Sequence, residues 1–94
     1  MAQILREVKF TKQFKKDRQR ELQGKYRKSL DDDLKCITDL LRRDCKLDPS
    51  WNDHQLKGKL QDCRDLHLHG LVLIYKKYDN ILSLERLGSH SEVF

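Results

Sequence analysis

The chain has 94 residues, 37% of them hydrophobic and 37% charged, with a formal net charge of +5. That length holds one domain with no room for a second core, and apolar residues gathered into segments exclude a disordered tail. Three cysteines without paired spacing (Cys36, Cys45, Cys63) exclude a disulfide framework, no apolar run approaches the roughly 18 residues of a membrane span, and MAQILREVKF lacks a signal-peptide core, so a reducing cytoplasm is the expected setting.

Gln3 to Phe10 alternates loosely, with Ile4, Val8 and Phe10 on one side and Arg6 an exception among them, and predicts a short edge strand. Thr11 is placed to cap a helix running to about Leu22, and Gly24 ends it. Phe10, Phe14, Arg18 and Leu22 recur every four residues, a narrow inward stripe that leaves the other cations outside. From Lys12 to Lys28 eight cations stand against Asp17 and Glu21, a net +6 in one window. Such a face attracts polyanions, although a solvated lysine-rich helix looks the same in sequence.

A second helix is expected from Leu30, with Ser29 as its N-cap and Asp31, Asp32 and Asp33 at the positive end of its dipole. Leu30, Leu34, Ile37 and Leu41 keep helical spacing, and Arg42 and Arg43 suit the C-terminal end. Asp44 to Asn52, with the only proline, reads as a loop. Gln61 to Leu68 alternates, Leu66 and Leu68 on one face and Cys63, Asp65 and His67 on the other; Gly70 breaks the pattern. Leu71 to Tyr75 is a continuous apolar run, as in a strand buried on both faces. Asp79-Asn80 signals a turn, and Ile81 to Leu87 is the last strand. Sequential strands with short connections pair antiparallel. The expected fold is α+β: a small antiparallel-rich sheet of four to five strands with two N-terminal helices packed on one face.

All four histidines, His54, His67, His69 and His90, lie in the C-terminal half. Histidine is the side chain best suited to exchange protons near neutral pH. Strand alternation places Asp65 and His67 on one side, about 7 Å apart, opposite the leucines that meet the helices. Arg86 falls in phase with Leu82 and Leu84, which would bury it. A buried guanidinium needs a partner, so the strand is expected to bend or bulge near Gly88 and turn Arg86 outward. Zinc could in principle use His54, His67, His69, His90 and Cys63, but their spacing matches no common motif, and no metal or cofactor is expected. Cys63 reads as a small packed cysteine, Asp53 as a turn cap, His69 as an exposed loop residue, Trp51 as a loop anchor, and Tyr75 and Tyr78 as packing residues.

The order of short motifs then carries a resemblance. Asp53-His54-x-Leu56-x-Gly58, Arg64-Asp65-x-His67, Leu73-Ile74-Tyr75 and Arg86-Leu87-Gly88-Ser89-His90-Ser91-Glu92-x-Phe94 follow one another across residues 53 to 94. Together they resemble the C-terminal half of YafQ-type toxins of the RelE/ParE superfamily. The resemblance implies a ribosome-dependent endoribonuclease with no cofactor. Its implied partners are messenger RNA, the ribosome and a small antitoxin of the DinJ/RelB kind. It also implies that His54, Asp65, His67, Arg86, His90 and Phe94 serve activity. Lys12, Lys15, Lys16 and Arg64 are the expected RNA contacts. One element departs: where the family often has Pro-Asp-Trp before the buried strand, this chain has His69-Gly70-Leu71, without a carboxylate.

The residues suit RNA cleavage on chemical grounds. Attack of a 2′-hydroxyl on the adjacent phosphorus needs a base, an acid for the 5′-oxygen and positive charge on the phosphate. His90 is the expected acid, His54 or His67 the base with Asp65 orienting it, Arg86 the phosphate brace and Phe94 a stacking surface for a nucleobase. A ParE-like toxin that blocks a protein, or a plain RNA-binding module, would share the fold or the basic face but have no use for three positioned proton carriers.

Overall fold

Thr11 starts the first helix as a capping residue should. Its Oγ1 accepts the Phe14 N–H at 2.9 Å and donates to the Glu85 carbonyl at 2.8 Å, joining the helix start to the last strand. The computed structural model describes residues 5–94. Its elements are β1 (Glu7–Phe10), α1 (Lys12–Glu21), α2 (Leu30–Arg42), β2 (His54–Gln55), β3 (Arg64–Leu68), β4 (Leu71–Lys77), β5 (Ile81–Gly88) and α3 (His90–Val93), with 3-10 turns at Pro49–Trp51 and Gly58–Leu60. Gln3 and Ile4, the expected start of the edge strand, lie outside the described residues.

The strands form one sheet in the order β1-β5-β4-β3-β2, antiparallel except that β1 runs parallel to β5. Phe14, Leu30, Leu34, Ile37 and Leu41 from α1 and α2 pack on Leu66, Leu68, Leu73, Tyr75, Leu82, Leu84 and Leu87. Both N-terminal helices therefore cover one face, as the α+β reading expected. The other face carries a smaller apolar patch, where Val93 of α3 meets Cys63, Val72 and Ile74. Among the described residues, no helix is long and apolar enough to cross a membrane.

Several local expectations need correcting. The inward stripe of α1 is Phe14 and Asp17; Arg18 instead grips Asp31 of α2 through Nε and Nη2 at 3.0 and 2.8 Å, and Phe10 is 50% exposed. Ser29 makes no capping hydrogen bond, because its backbone is already helical. The chain enters α2 through a turn in which the Tyr26 carbonyl accepts the Ser29 and Leu30 N–H groups. β3 begins at Arg64 rather than Gln61, since the 3-10 turn occupies the preceding backbone. Arg6, the exception in the strand pattern, is buried: it donates to the carbonyls of Leu41 and Tyr78 and pairs with Asp44 at 2.8 Å.

The outward turn of Arg86 is present, but its cause lies before the arginine. Ile74 pairs with Arg86 while Tyr75 pairs with Leu84, so Glu85 is an extra residue, a β-bulge. The bulge resets the alternation: Leu82, Leu84 and Leu87 join the helix-side core, and Arg86 goes to the opposite face.

In the β3–β4 hairpin the left-handed residue is His69, at φ 60°, not Gly70. Gly70 serves close packing, since a Cβ there would lie 2.2 Å from the Tyr26 hydroxyl. Gly70→Ala should cost about 1–3 kcal/mol by overpacking. Adding Tyr26→Phe, which leaves the ring Cζ 3.2 Å away, should recover most of that loss in chemical denaturation. A neutral Gly70→Ala would contradict this packing.

Candidate active site

The sheet register builds two rows on the face opposite α1 and α2. One runs His54–Asp65–Ile74–Arg86 across β2, β3, β4 and β5; the next runs His67–Val72–Gly88. At about 4.8 Å per strand, Asp65 and Arg86 stand roughly 10 Å apart, with β4 between them. Val72 and Ile74, which separate the two halves of this face, are buried beneath Val93 of α3 with Leu56 and Leu60 beside them.

The first half is an imidazole–carboxylate cluster. Asp65 is 3% exposed; its Oδ1 lies 3.0 Å from His54 Nδ1 and 3.9 Å from His67 Nε2. The rings of His54 and His67 stack with centroids 6.3 Å apart. His54 Nδ1 also lies 2.8 Å from the Asn52 carbonyl. A carbonyl and a carboxylate can only accept, so this nitrogen carries the hydrogen, and in the neutral ring Nε2 keeps a free lone pair. The hydrogen is aimed at Asn52, which leaves Asp65 Oδ1 buried without a hydrogen bond between the two rings. That oxygen is ready to accept an N–H from either imidazole.

An anchor beneath this half holds the His54 segment to the sheet. Asp53 accepts from Arg64 Nη2 at 2.9 Å and Nε at 3.4 Å and from the Tyr75 hydroxyl. Asp53 thus joins loop to sheet rather than capping a turn. Arg64, expected at the RNA, spends the Nε and Nη2 of its guanidinium on Asp53. Burial, with Asp53 adjacent, pushes the Tyr75 phenol well above the ordinary tyrosine range.

The second half holds Arg86 and, bonded to it through the Glu92 carbonyl, α3, which carries His90 with Phe94 at its end. Arg86 Nε donates to Asp17 Oδ2 at 2.8 Å and Nη2 to the Glu92 carbonyl at 3.2 Å. His90 opens α3, which a Ser89–Glu92 capping box starts, and its ring lies tilted on Phe94 at 4.7 Å between centroids. His90 and Phe94 are both exposed. A groove of about 480 Å³ adjoins Arg86, lined also by Lys59 and Lys76 and by the carboxylates Asp62 and Glu85, with Lys76 paired to Asp62 at 3.2 Å. Sequence reasoning missed α3, although Ser89-x-x-Glu92 is a helix-start signal, and it missed the buried Asp17.

The other candidates lie elsewhere. His69 turns towards α2, where Nε2 meets Asp33 Oδ2 at 3.1 Å and the ring stacks on Tyr26. Lys12, Lys15 and Lys16 are exposed on α1. Cys63 is buried, and burial followed by the nearby Asp62 charge pushes its thiol up, away from the thiolate a nucleophile needs. Among the described residues, no three His, Cys, Asp or Glu side chains converge as a metal-ligand set.

Residues 6–94 match the family described as the bacterial toxin of a type II toxin–antitoxin system, YafQ. The chain belongs to the YafQ toxin family. It is 32% identical over 92 residues to the mRNA interferase toxin YafQ of Escherichia coli K12, covering 97% of this chain and 98% of that protein. A copper-bound mutant toxin from Helicobacter pylori superposes with a TM-score of 0.83 at 37% identity, over 96% of this chain and 99% of that one. The E. coli DinJ–YafQ toxin–antitoxin complex gives 0.81 at 31% identity, over 97% and 99%. The YafQ likeness, carried in sequence by residues 53 to 94, thus extends through the N-terminal strand and helices.

The Tyr75 environment has a pH signature. The folded chain keeps a phenol proton that the unfolded chain releases near pH 10, so this contribution to stability is complete below that pH and is lost as pH rises above it. Ultraviolet titration should find a tyrosine that ionises only as the protein unfolds, and Tyr75→Phe should remove that step. Reversible ionisation of Tyr75 in the folded state would contradict the assignment.

Proposed function

We propose that this chain is a toxin that cuts messenger RNA on the ribosome in the cytoplasm, acting as one domain and neutralised by an antitoxin of the DinJ kind. The E. coli relative is named an mRNA interferase, and a YafQ structure includes DinJ. The observation that carries the reading is the row His54–Asp65–Ile74–Arg86, which sets a base-competent imidazole and a phosphate-binding cation on one face.

His54 is the base the geometry favours, because its Nδ1 hydrogen is engaged and Nε2 is free. It takes the 2′-hydroxyl proton while the 2′-oxygen attacks phosphorus. The bond to the 5′-oxygen breaks, and His90 supplies the proton to that oxygen. The products are a 2′,3′-cyclic phosphate and a 5′-hydroxyl end. Arg86 offsets the charge gathering on the phosphate. The Asp65 carboxylate, between the two rings, offsets the charge on whichever imidazole holds the proton, and Phe94 gives a base a surface to stack on. Lys12, Lys15 and Lys16 meet the phosphate backbone of ribosomal RNA.

With translating ribosomes, mapped message ends should show discrete cuts inside codons; intact message would support a non-nuclease toxin or a binding module instead. His90→Ala and His54→Ala should each lower single-turnover cleavage about a hundredfold or more. An unchanged rate removes that histidine from its role, and a larger loss in His67→Ala moves the base there.

A further inference from the structure

Asp17 is fully buried, although it sits in the most basic stretch of the chain. Each of its oxygens accepts twice: Oδ1 from Gln13 Nε2 and Arg20 Nη1, both at 3.0 Å, and Oδ2 from Arg86 Nε at 2.8 Å and the Leu87 N–H at 3.0 Å. Packing alone does not call for a carboxylate three residues after Phe14, where an apolar side chain would fill the helix–sheet seam without desolvating a charge. The four donors keep it ionised: burial pushes its carboxyl up, but hydrogen bonds from Arg86, Leu87 and Gln13 outweigh that and hold it below the usual carboxylate range. This contribution to stability is present above the unfolded value of 3.8 and is lost as pH falls through the lower folded one.

Asp17 treats its two arginines differently. Arg20 is spent on it: Nη1 goes to Asp17, Nη2 to the Leu87 carbonyl at 2.8 Å, and Nε to Glu21 and Glu92. Gly88 permits this approach, since a Cβ there would stand 2.6 Å from Arg20 Nη2. Arg86 gives Asp17 only Nε, so Nη1 and part of Nη2 remain for a ligand on the open face. We propose that Asp17 is a positioning residue that acts through Arg86, reaching round the edge of β5 beyond the end of β1 to lock the guanidinium with its free edge towards the scissile phosphate. The inference rests on Arg86 bracing that phosphate.

The test is a double-mutant cycle of Asp17→Asn and Arg86→Ala, read as single-turnover cleavage and as kcat and KM on ribosomes, per folded protein. Asp17→Asn should lower kcat about ten- to a hundredfold through misplacement, leave KM near the wild-type value, and cause no further loss once Arg86 is alanine. The same fold-loss in both backgrounds, or none in either, overturns the positioning role while leaving Arg86 as the brace. An Arg86→Ala protein that cuts at the wild-type rate overturns both. Should Asp17→Asn not fold, nitrogen-15 NMR of the wild-type protein decides: the Arg86 Nε–H should exchange slowly with solvent, and fast exchange overturns the lock.

Discussion

The extra residue at Glu85 decides what β5 can do. An unbroken strand would send Arg86 into the core beside Leu82 and Leu84, where a guanidinium is costly to desolvate. With the bulge, β5 gives three leucines to the helices and an arginine to the opposite face. A bulge leaves backbone groups outside the ladder, and here Thr11 takes up the Glu85 carbonyl with the hydroxyl that also caps α1. One turn and a half further along the same helix, Asp17 reaches the arginine the bulge has turned. Helix start, strand irregularity and the outward-turned arginine are therefore one mechanical unit.

Much of the architecture was legible because it follows from period. Leu30, Leu34, Ile37 and Leu41 mark α2 without ambiguity, and the run from Leu71 to Tyr75 marks the central strand. Alternation placed Asp65 and His67 on the face away from the helices, and the conflict at Arg86 foretold an irregularity, though not its position at Glu85. What escaped depends on contacts distant in sequence. Nothing local separates Asp17 from the exposed charges around it; its burial depends on donors from Arg86 and Leu87, 69 and 70 residues away. Arg64 looked like a free cation because its partner Asp53 lies on another segment. The parallel pairing of β1 with β5 joins the two ends of the fold, which no hairpin rule supplies.

The candidate site is divided rather than enclosed. His54 and His67 stand at one side of β4, Arg86 and His90 at the other, with Val72 and Ile74 between them. Under the proposed function, a strand that reaches both halves passes over α3 rather than over the sheet itself, because Val93 covers Val72 and Ile74. The two buried carboxylates contrast: Asp65 Oδ1 has no hydrogen-bond partner, whereas both oxygens of Asp17 are satisfied.

The central claim is that both halves grip one strand. It is tested most directly by NMR titration with a short RNA whose 2′-hydroxyls are methylated, so that it binds without being cut. The account predicts that the imidazole signals of His54, His67 and His90 and the guanidinium signal of Arg86 shift together along one binding curve. Shifts confined to one half, or two curves with separate midpoints, would contradict it.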